Sequence, residues 1–217
     1  MLQHYYDILA KNKFDALFGD LYIGKHPTRD RNSYLVLYLN FSGIVGELHN
    51  YRKGLDAHCQ TMFDYFCDIY ADYLPKGIKE ELDKKEGAVE QFEYLFTECN
   101  KTNQRIYLFI DEYDHFTNTI LSDVDSLNRY TDETHKEGYL RAFFNKIKSG
   151  TDSSIKRCFI TGVSPVTMDD LTSGFNIGTN YSLSSEFNEM MGFTESEVRD
   201  MLTYYSNTCL LYTSDAA

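Results

Sequence analysis

An α/β fold with a largely parallel sheet is predicted by three apolar runs and by what separates them. The runs are Tyr34-Leu-Val-Leu-Tyr-Leu-Asn40, Arg105-Ile-Tyr-Leu-Phe-Ile110 and Lys156-Arg-Cys-Phe-Ile160. Near-continuous apolar runs of this length read as strands buried on both faces. Helix-period stretches lie between them, and alternation of strands with helices makes neighbouring strands parallel.

Each element has its own signal. Residues 1–11 look helical, with Leu2, Tyr5, Tyr6 and Leu9 on one face, and Asn12-Lys13 breaks them. Residues 14–18 suit a short helix closed by Gly19. Phe41-Ser-Gly43 is a turn after the first strand. Residues 47–73 have the pattern of a long amphipathic helix stopped near Pro75. The charged run 76–86 suits a solvated helical face or connector, and 88–100 a second helix. A short helix and a polar loop fill 117–136. Residues 137–149 suit a helix with Tyr139, Leu140, Phe143, Phe144 and Ile147 inward. A short helix is expected at 166–172 and a fourth strand near Asn180-Tyr-Ser-Leu183. Thr194-Glu-Ser-Glu197 is a capping box opening a helix over 195–205.

Composition narrows the function classes. The chain has 217 residues, 42% hydrophobic and 15% aromatic, which suits one globular domain with a sizeable core. Its net charge of −12 gives no general electrostatic reason to seek nucleic acid or anionic lipid. Cys59, Cys67, Cys99, Cys158 and Cys209 form no C-x-x-C pair, so free thiols in a reducing cytoplasm are expected. The N-terminus lacks the apolar core of a signal peptide. No run reaches the roughly 18 apolar residues of a membrane span.

Gly19-Asp-Leu-Tyr-Ile-Gly-Lys25 has the G-x-x-x-x-G-K frame of a phosphate loop, with His26 where a hydroxyl residue belongs. Such a loop works when a buried strand delivers it into a helix N-terminus, whose amides hold the phosphates. Phe14–Phe18 is no buried strand, and Leu21-Tyr-Ile23 is bulky. Pro27 and a strand by residue 34 leave no room for the helix. The frame reads as a coincidence.

The second run offers better chemistry. It leads straight into Asp111-Glu-Tyr-Asp114, the form of a Walker B strand. A strand end places its first carboxylate at the carboxyl edge of the sheet, where open α/β folds bind ligands. Asp111 could there hold Mg²⁺, directly or through water. Glu112 could orient and polarise an attacking water. Thr161 ends the third strand with a hydroxyl, fit to sense a γ-phosphate, with Ser164 as the alternate. Asn40-Phe-Ser42 brings polar groups to the same edge. Asp111, Glu112, Asp114 and His115 also suggest a metal cluster, but neighbours in one turn seldom converge on one ion. Arg141 and Arg157 suit surface or ion-pair roles better than charge stabilisation.

The runs YLVLYLNFSGI (34–44), IYLFIDEYDHF (106–116), GYLRAFFNKIKSG (138–150), RCFITGVSPVTMDDLTSGFNIGTNYSL (157–183) and EFNEMMGFTESEVRDML (186–202) resemble the prokaryotic AAA-ATPase-like family. The resemblance spans about residues 1–206. It implies a P-loop NTPase fold in three α/β layers, with ATP and Mg²⁺ as cofactors and often a PD-(D/E)XK-nuclease-like domain following. It implies Walker B roles for Asp111 and Glu112 and a sensor-like role near Thr161. The family's Walker A loop, of the type R-x-G-K-S, precedes a helix like MLQHYYDIL. It would sit before residue 1, so Met1 reads as an internal methionine. In the sheet order 5-1-4-3-2 of this class, the three runs become strands 2, 3 and 4, and the central first strand is missing. Exposed apolar edges and poor stability are expected of such a piece.

The last residues, Cys209-Leu-Leu-Tyr-Thr-Ser-Asp-Ala-Ala217, read as a sequencing-adapter scar. TGT CTC TTA TAC ACA TCT, part of a transposase mosaic end, encodes the first of them. The expected organisation is a truncated ATPase-like domain over 1–208 and an adapter-derived tail over 209–217. A parent ATPase carrying Walker B is the leading expectation, with nucleotide as its partner and no nucleic acid bound by these residues. A non-hydrolysing regulatory or interaction module of the same fold is the alternative. A metal-dependent nuclease built on 111–115 ranks last, because Asp-x-Glu-x-Lys is absent.

Overall fold

The computed structural model describes residues 1–44, 51–115, 138–163, 178–182, 184–189 and 192–213, with 207–213 as backbone. The elements are helix α1 (Leu2–Tyr6), a 3₁₀ turn (Ile8–Lys13), α2 (Phe14–Phe18), α3 (Tyr22–Lys25) and strand β1 (Leu35–Asn40). Then come α4 (Tyr51–Ile69), α5 (Ile78–Leu82), α6 (Gly87–Lys101), β2 (Ile106–Asp111), α7 (Tyr139–Thr151), β3 (Ile155–Ile160) and α8 (Glu195–Thr213). Two compact units divide the chain, 1–177 and 178–217.

In the first unit β1, β2 and β3 pair in parallel, in chain order. Alternation along the strands sorts their residues onto two faces. Leu35, Leu37 and Leu39 of β1 join Ile106, Leu108 and Ile110 of β2 in the main core. There they meet α4 through Leu55, Cys59 and Phe63, α6 through Phe92, Leu95 and Phe96, and α7 through Leu140, Phe143 and Phe144. Phe92 joins these helices, with ring centroids 4.7 Å from Phe63 and 5.1 Å from Phe143. Tyr38, Tyr107, Phe109 and Asp111 take the opposite face. Its amino end is covered by α1, where Tyr6 packs on Tyr107 with centroids 4.9 Å apart. A small second core of Tyr5, Phe14 and Phe18 ties α1 to α2.

The β2–β3 register contains one irregularity. Ile106 pairs with Ile155, but Tyr107 pairs with Arg157, so Lys156 is an extra residue on β3. Such a bulge reverses the facing of everything after it. Ile155, Cys158 and Ile160 keep to the main core, and Arg157, Phe159 and Thr161 turn to the face of Tyr107, Phe109 and Asp111. Among the described residues β3 pairs with β2 alone, and Phe159 and Ile160 are only partly buried.

Two expectations are corrected. The N-terminal helix expected over residues 1–11 breaks at Asp7, which is extended (φ −67°, ψ 125°) and bridges to Tyr34 beside β1. Asp7 accepts from Leu9 N at 2.9 Å and from the Tyr70 hydroxyl at 2.9 Å. These bonds favour the break over a continuous helix. The fourth strand expected near 180–183 does not form over its described residues, 180–182. The amide of Ser182 is taken by the Asn180 side chain at 2.9 Å, a local turn that competes with strand pairing. Leu183 and the helices expected within 117–136 and 166–172 lie outside the described residues.

In the second unit the capping box is present. Thr194 Oγ1 accepts from Glu197 N at 3.3 Å, and Glu197 Oε2 accepts from Thr194 N at 2.7 Å. The helix it opens runs past the expected end at 205, to Thr213. No helix among the described residues is long and apolar enough to cross a membrane. Cys59, Cys67, Cys99 and Cys158 are free thiols.

Candidate active site at the carboxyl ends of the strands

β2 ends in Asp111, paired in register with Asn40 of β1. The ladder to β3 continues one step past the strand, as Thr161 N donates to Ile110 O at 2.9 Å and Tyr113 N to Thr161 O at 3.2 Å. This step and the Lys156 bulge set the Thr161 side chain beside Asp111. The Thr161 hydroxyl donates to Asp111 Oδ1 at 2.5 Å, and the Glu112 amide donates to the same oxygen at 3.1 Å. The Tyr38 hydroxyl donates to Asp111 Oδ2 at 3.0 Å. Burial, and then the Asp111 carboxylate, push the Tyr38 phenol above its ordinary pKa, so it stays a donor. A carboxylate has about four acceptor sites. Three are occupied here, which leaves Asp111 able to accept from a metal-bound water or to ligate a cation.

Tyr38 was not foreseen as a site residue. Its signal was positional: two residues before Asn40, it shares a face with the polar strand end. Asn40, the register partner of Asp111, is engaged in the turn after β1. Its Oδ1 accepts from Ser42 N at 2.9 Å and Ser42 Oγ at 2.7 Å, closing the turn after β1.

Glu112 takes a left-handed backbone conformation, φ 51°. Its half-exposed carboxylate lies 3.8 Å from His115 Nδ1. Non-glycine residues enter this region at a cost, and it directs the Glu112 side chain out of the strand line. Asp114 is buried and points elsewhere. Its Oδ2 accepts from Val163 N at 2.9 Å, clasping the exit of β3. A Cβ on Gly162 would lie 2.6 Å from Asp114 Oδ1 and 2.4 Å from Tyr113 Cε1, so the clasp requires glycine. The four-residue metal cluster is thus not assembled, and no group of three metal-ligating side chains occurs among the described residues. Arg157 sits toward the amino end of β3, away from Asp111, and pairs with Asp30. Ser164 lies outside the described residues.

Residues 19–25 form no phosphate cradle. They follow helix α2 rather than a strand. The amides of Gly24 and Lys25 both donate to Leu21 O at 3.1 Å, and that of His26 to Tyr22 O at 2.9 Å, so they are consumed within a short turn. A Cβ on Gly24 would fall 1.8 Å from Phe18 O. The glycine serves close backbone packing.

The geometry is thus a carboxylate fixed at the carboxyl edge of a parallel sheet, a second acid beside it facing solvent, and a hydroxyl from the neighbouring strand. No curated protein and no solved structure matches the chain. The family model described as Predicted AAA-ATPase matches residues 1–172, which include all three strands and the Asp111–Thr161 junction. The chain belongs to this AAA-ATPase-like family.

Proposed function

We propose that the chain carries the hydrolytic acids of a Mg²⁺-dependent ATPase, with Asp111 and Glu112 as a Walker B pair. The observation that carries this reading is the convergence of Asp111, Glu112 and Thr161 at the carboxyl ends of adjacent parallel strands. Mg²⁺, when bound, neutralises charge on the β- and γ-phosphates. Asp111 would hold it, with Tyr38 and Thr161 fixing the carboxylate's orientation from both sides. Glu112 orients and polarises the attacking water.

Thr161 has one proton to donate, and it is spent on Asp111. A phosphate oxygen is an acceptor, so sensing it requires the proton to rotate away from Asp111. On this reading Thr161 reports nucleotide by switching its donor bond between Asp111 and the γ-phosphate.

The reading also needs a phosphate cradle, which residues 19–25 do not supply. The family resemblance implies a loop of the type R-x-G-K-S for that role. A long read through the source DNA tests this. A strand followed by G-x-x-x-x-G-K-[ST] upstream supports the ATPase, and Glu112→Gln in that longer protein should then abolish turnover while sparing ATP binding. Loss of ATP binding in that variant refutes the assigned role. An upstream sequence without such a loop supports the non-hydrolysing module.

A further inference from the structure

A second feature lies near the other end of the same sheet face. An open cleft of about 890 Å³ is bordered by the turn before β1 and the starts of β2 and β3. Arg29, Arg105 and Arg157 line it, with Asp30 as the one carboxylate among its lining residues. Asp30 accepts from Arg105 at 3.4 Å and from Arg157 at 3.2 Å. Arg157, then the Tyr34 hydroxyl and Arg105, hold its carboxyl below the usual range, so it remains ionised. Arg105 also donates to the Tyr34 hydroxyl at 2.7 Å and lies over the Tyr34 ring, 4.4 Å from its centroid. Arg29 makes no ion pair with a described residue and is exposed.

Three guanidiniums against one carboxylate leave a local excess of two positive charges, in a chain whose net charge is −12. The Lys156 bulge contributes here too, because it turns Arg157 to the face of Tyr107. The apolar wall consists of rings. Tyr107 stacks on Phe109 at 4.3 Å and 18°, and Tyr6 leans on Tyr107. Burial pushes the Tyr107 phenol up to about 12, so its hydroxyl stays neutral at ordinary pH.

We propose that this cleft binds a small phosphate monoester carrying a flat ring, its phosphate held by Arg29 and Arg157 and its ring against Tyr6 and Tyr107. Arginine forks match phosphate oxygens in bidentate geometry. A phosphate monoester carries about −1.5 to −2 at neutral pH and so balances the local excess, which a monocarboxylate does not. The cleft volume falls within the roughly 300–1,000 Å³ of small-molecule sites. The site is separate from the Walker B pair. Tyr107 and Asp111 stand four residues apart on β2, about 13 Å at the usual strand rise.

The test is a calorimetric titration of the full chain with phenyl phosphate, alongside inorganic phosphate and benzoate. Phenyl phosphate should bind saturably and more tightly than either control. Arg29→Ala should weaken it about tenfold or more, as expected for a charge-assisted contact. Asp30→Asn should tighten it by freeing Arg157, and Glu112→Gln should leave it unchanged. Arg29 lies on an exposed turn with no described ion pair, so its variant should keep the wild-type circular dichroism spectrum. Three results would overturn the proposal: no saturable binding by the wild type, equal affinity for either control, or an affinity unmoved by Arg29→Ala.

Discussion

The Thr161 hydroxyl donates to Asp111 Oδ1 at 2.5 Å, joining residues that are 50 positions apart. The bond closes the polar end of the β2–β3 pair, and it can be removed without changing side-chain shape. Thr161→Val should destabilise the chain by about 1 kcal/mol, in the range of a hydrogen bond to a partly solvated charged acceptor. Thr161→Ser should recover most of the loss. Urea unfolding of the three proteins measures this, and a Val variant as stable as wild type would show that the bond contributes nothing.

Glu112 sits at φ 51°, where glycine is at ease and glutamate is not. Strain of this kind persists only where the surrounding structure holds it, and it clusters at active sites. Glu112→Gly should therefore raise stability by about 0.5–1 kcal/mol, whereas Glu112→Ala should give no such gain. In a longer protein with an intact phosphate loop, both should abolish ATP turnover. Thermal unfolding of the Gly and Ala variants separates the backbone effect from loss of the carboxylate.

Much of the framework was legible because burial patterns repeat locally. The three strands and the acidic end of β2 follow from apolar runs that stop at Asn40, Asp111 and Thr161, and the strand order from the family resemblance. The site's internal geometry was less legible, because it depends on register. Counting by twos from Ile155 puts Thr161 on the core face. Only the extra residue at Lys156 turns it toward Asp111, and a bulge leaves no pattern in a run this short. The break at Asp7 was equally hidden. Its causes, Tyr34 and Tyr70, are distant in sequence. Over 180–182 the expected strand does not form, for the converse reason. Its alternation was local, and a turn closed by Asn180 competes with strand pairing.

Tyr70 offers a test of one such distant tie. Its buried hydroxyl accepts from Val36 N at 2.9 Å and donates to Asp7 Oδ1 at 2.9 Å, linking α4's end to β1 and to the break after α1. Burial pushes its pKa far up, so it stays protonated. Tyr70→Phe keeps the ring and strands a buried amide, at a cost of about 1–3 kcal/mol. Denaturant unfolding should show that loss. Hydrogen exchange should show the Val36 amide losing protection while amides of α6 change only with global stability.

Gly162 should tolerate no side chain. Its Cβ would meet Tyr113 and Asp114 at contact distances that real atoms do not adopt. Gly162→Ala should cost about 1–3 kcal/mol, the usual range for overpacking a filled site. It should also break the Asp114–Val163 bond and loosen the β2–β3 end. A variant that unfolds at the wild-type urea midpoint would show that the clasp yields freely.

His58 gives the chain a pH dependence with a defined sign. Its Nε2 is buried without a described hydrogen-bond partner, and burial pulls its pKa below the ordinary 6.5. The folded chain therefore binds fewer protons at His58 than the unfolded chain does. The His58 contribution is fully present above about pH 6.5 and is lost as pH drops from there through the folded pKa, because protonation favours the unfolded state. His58→Leu should flatten this slope between about pH 6.5 and 5, where few carboxylates titrate. Urea unfolding of both proteins across that range reads the difference directly. Equal slopes would mean that protonated His58 is accommodated in the fold, by water or by a shift against Gly43, whose position leaves little room beside the imidazole.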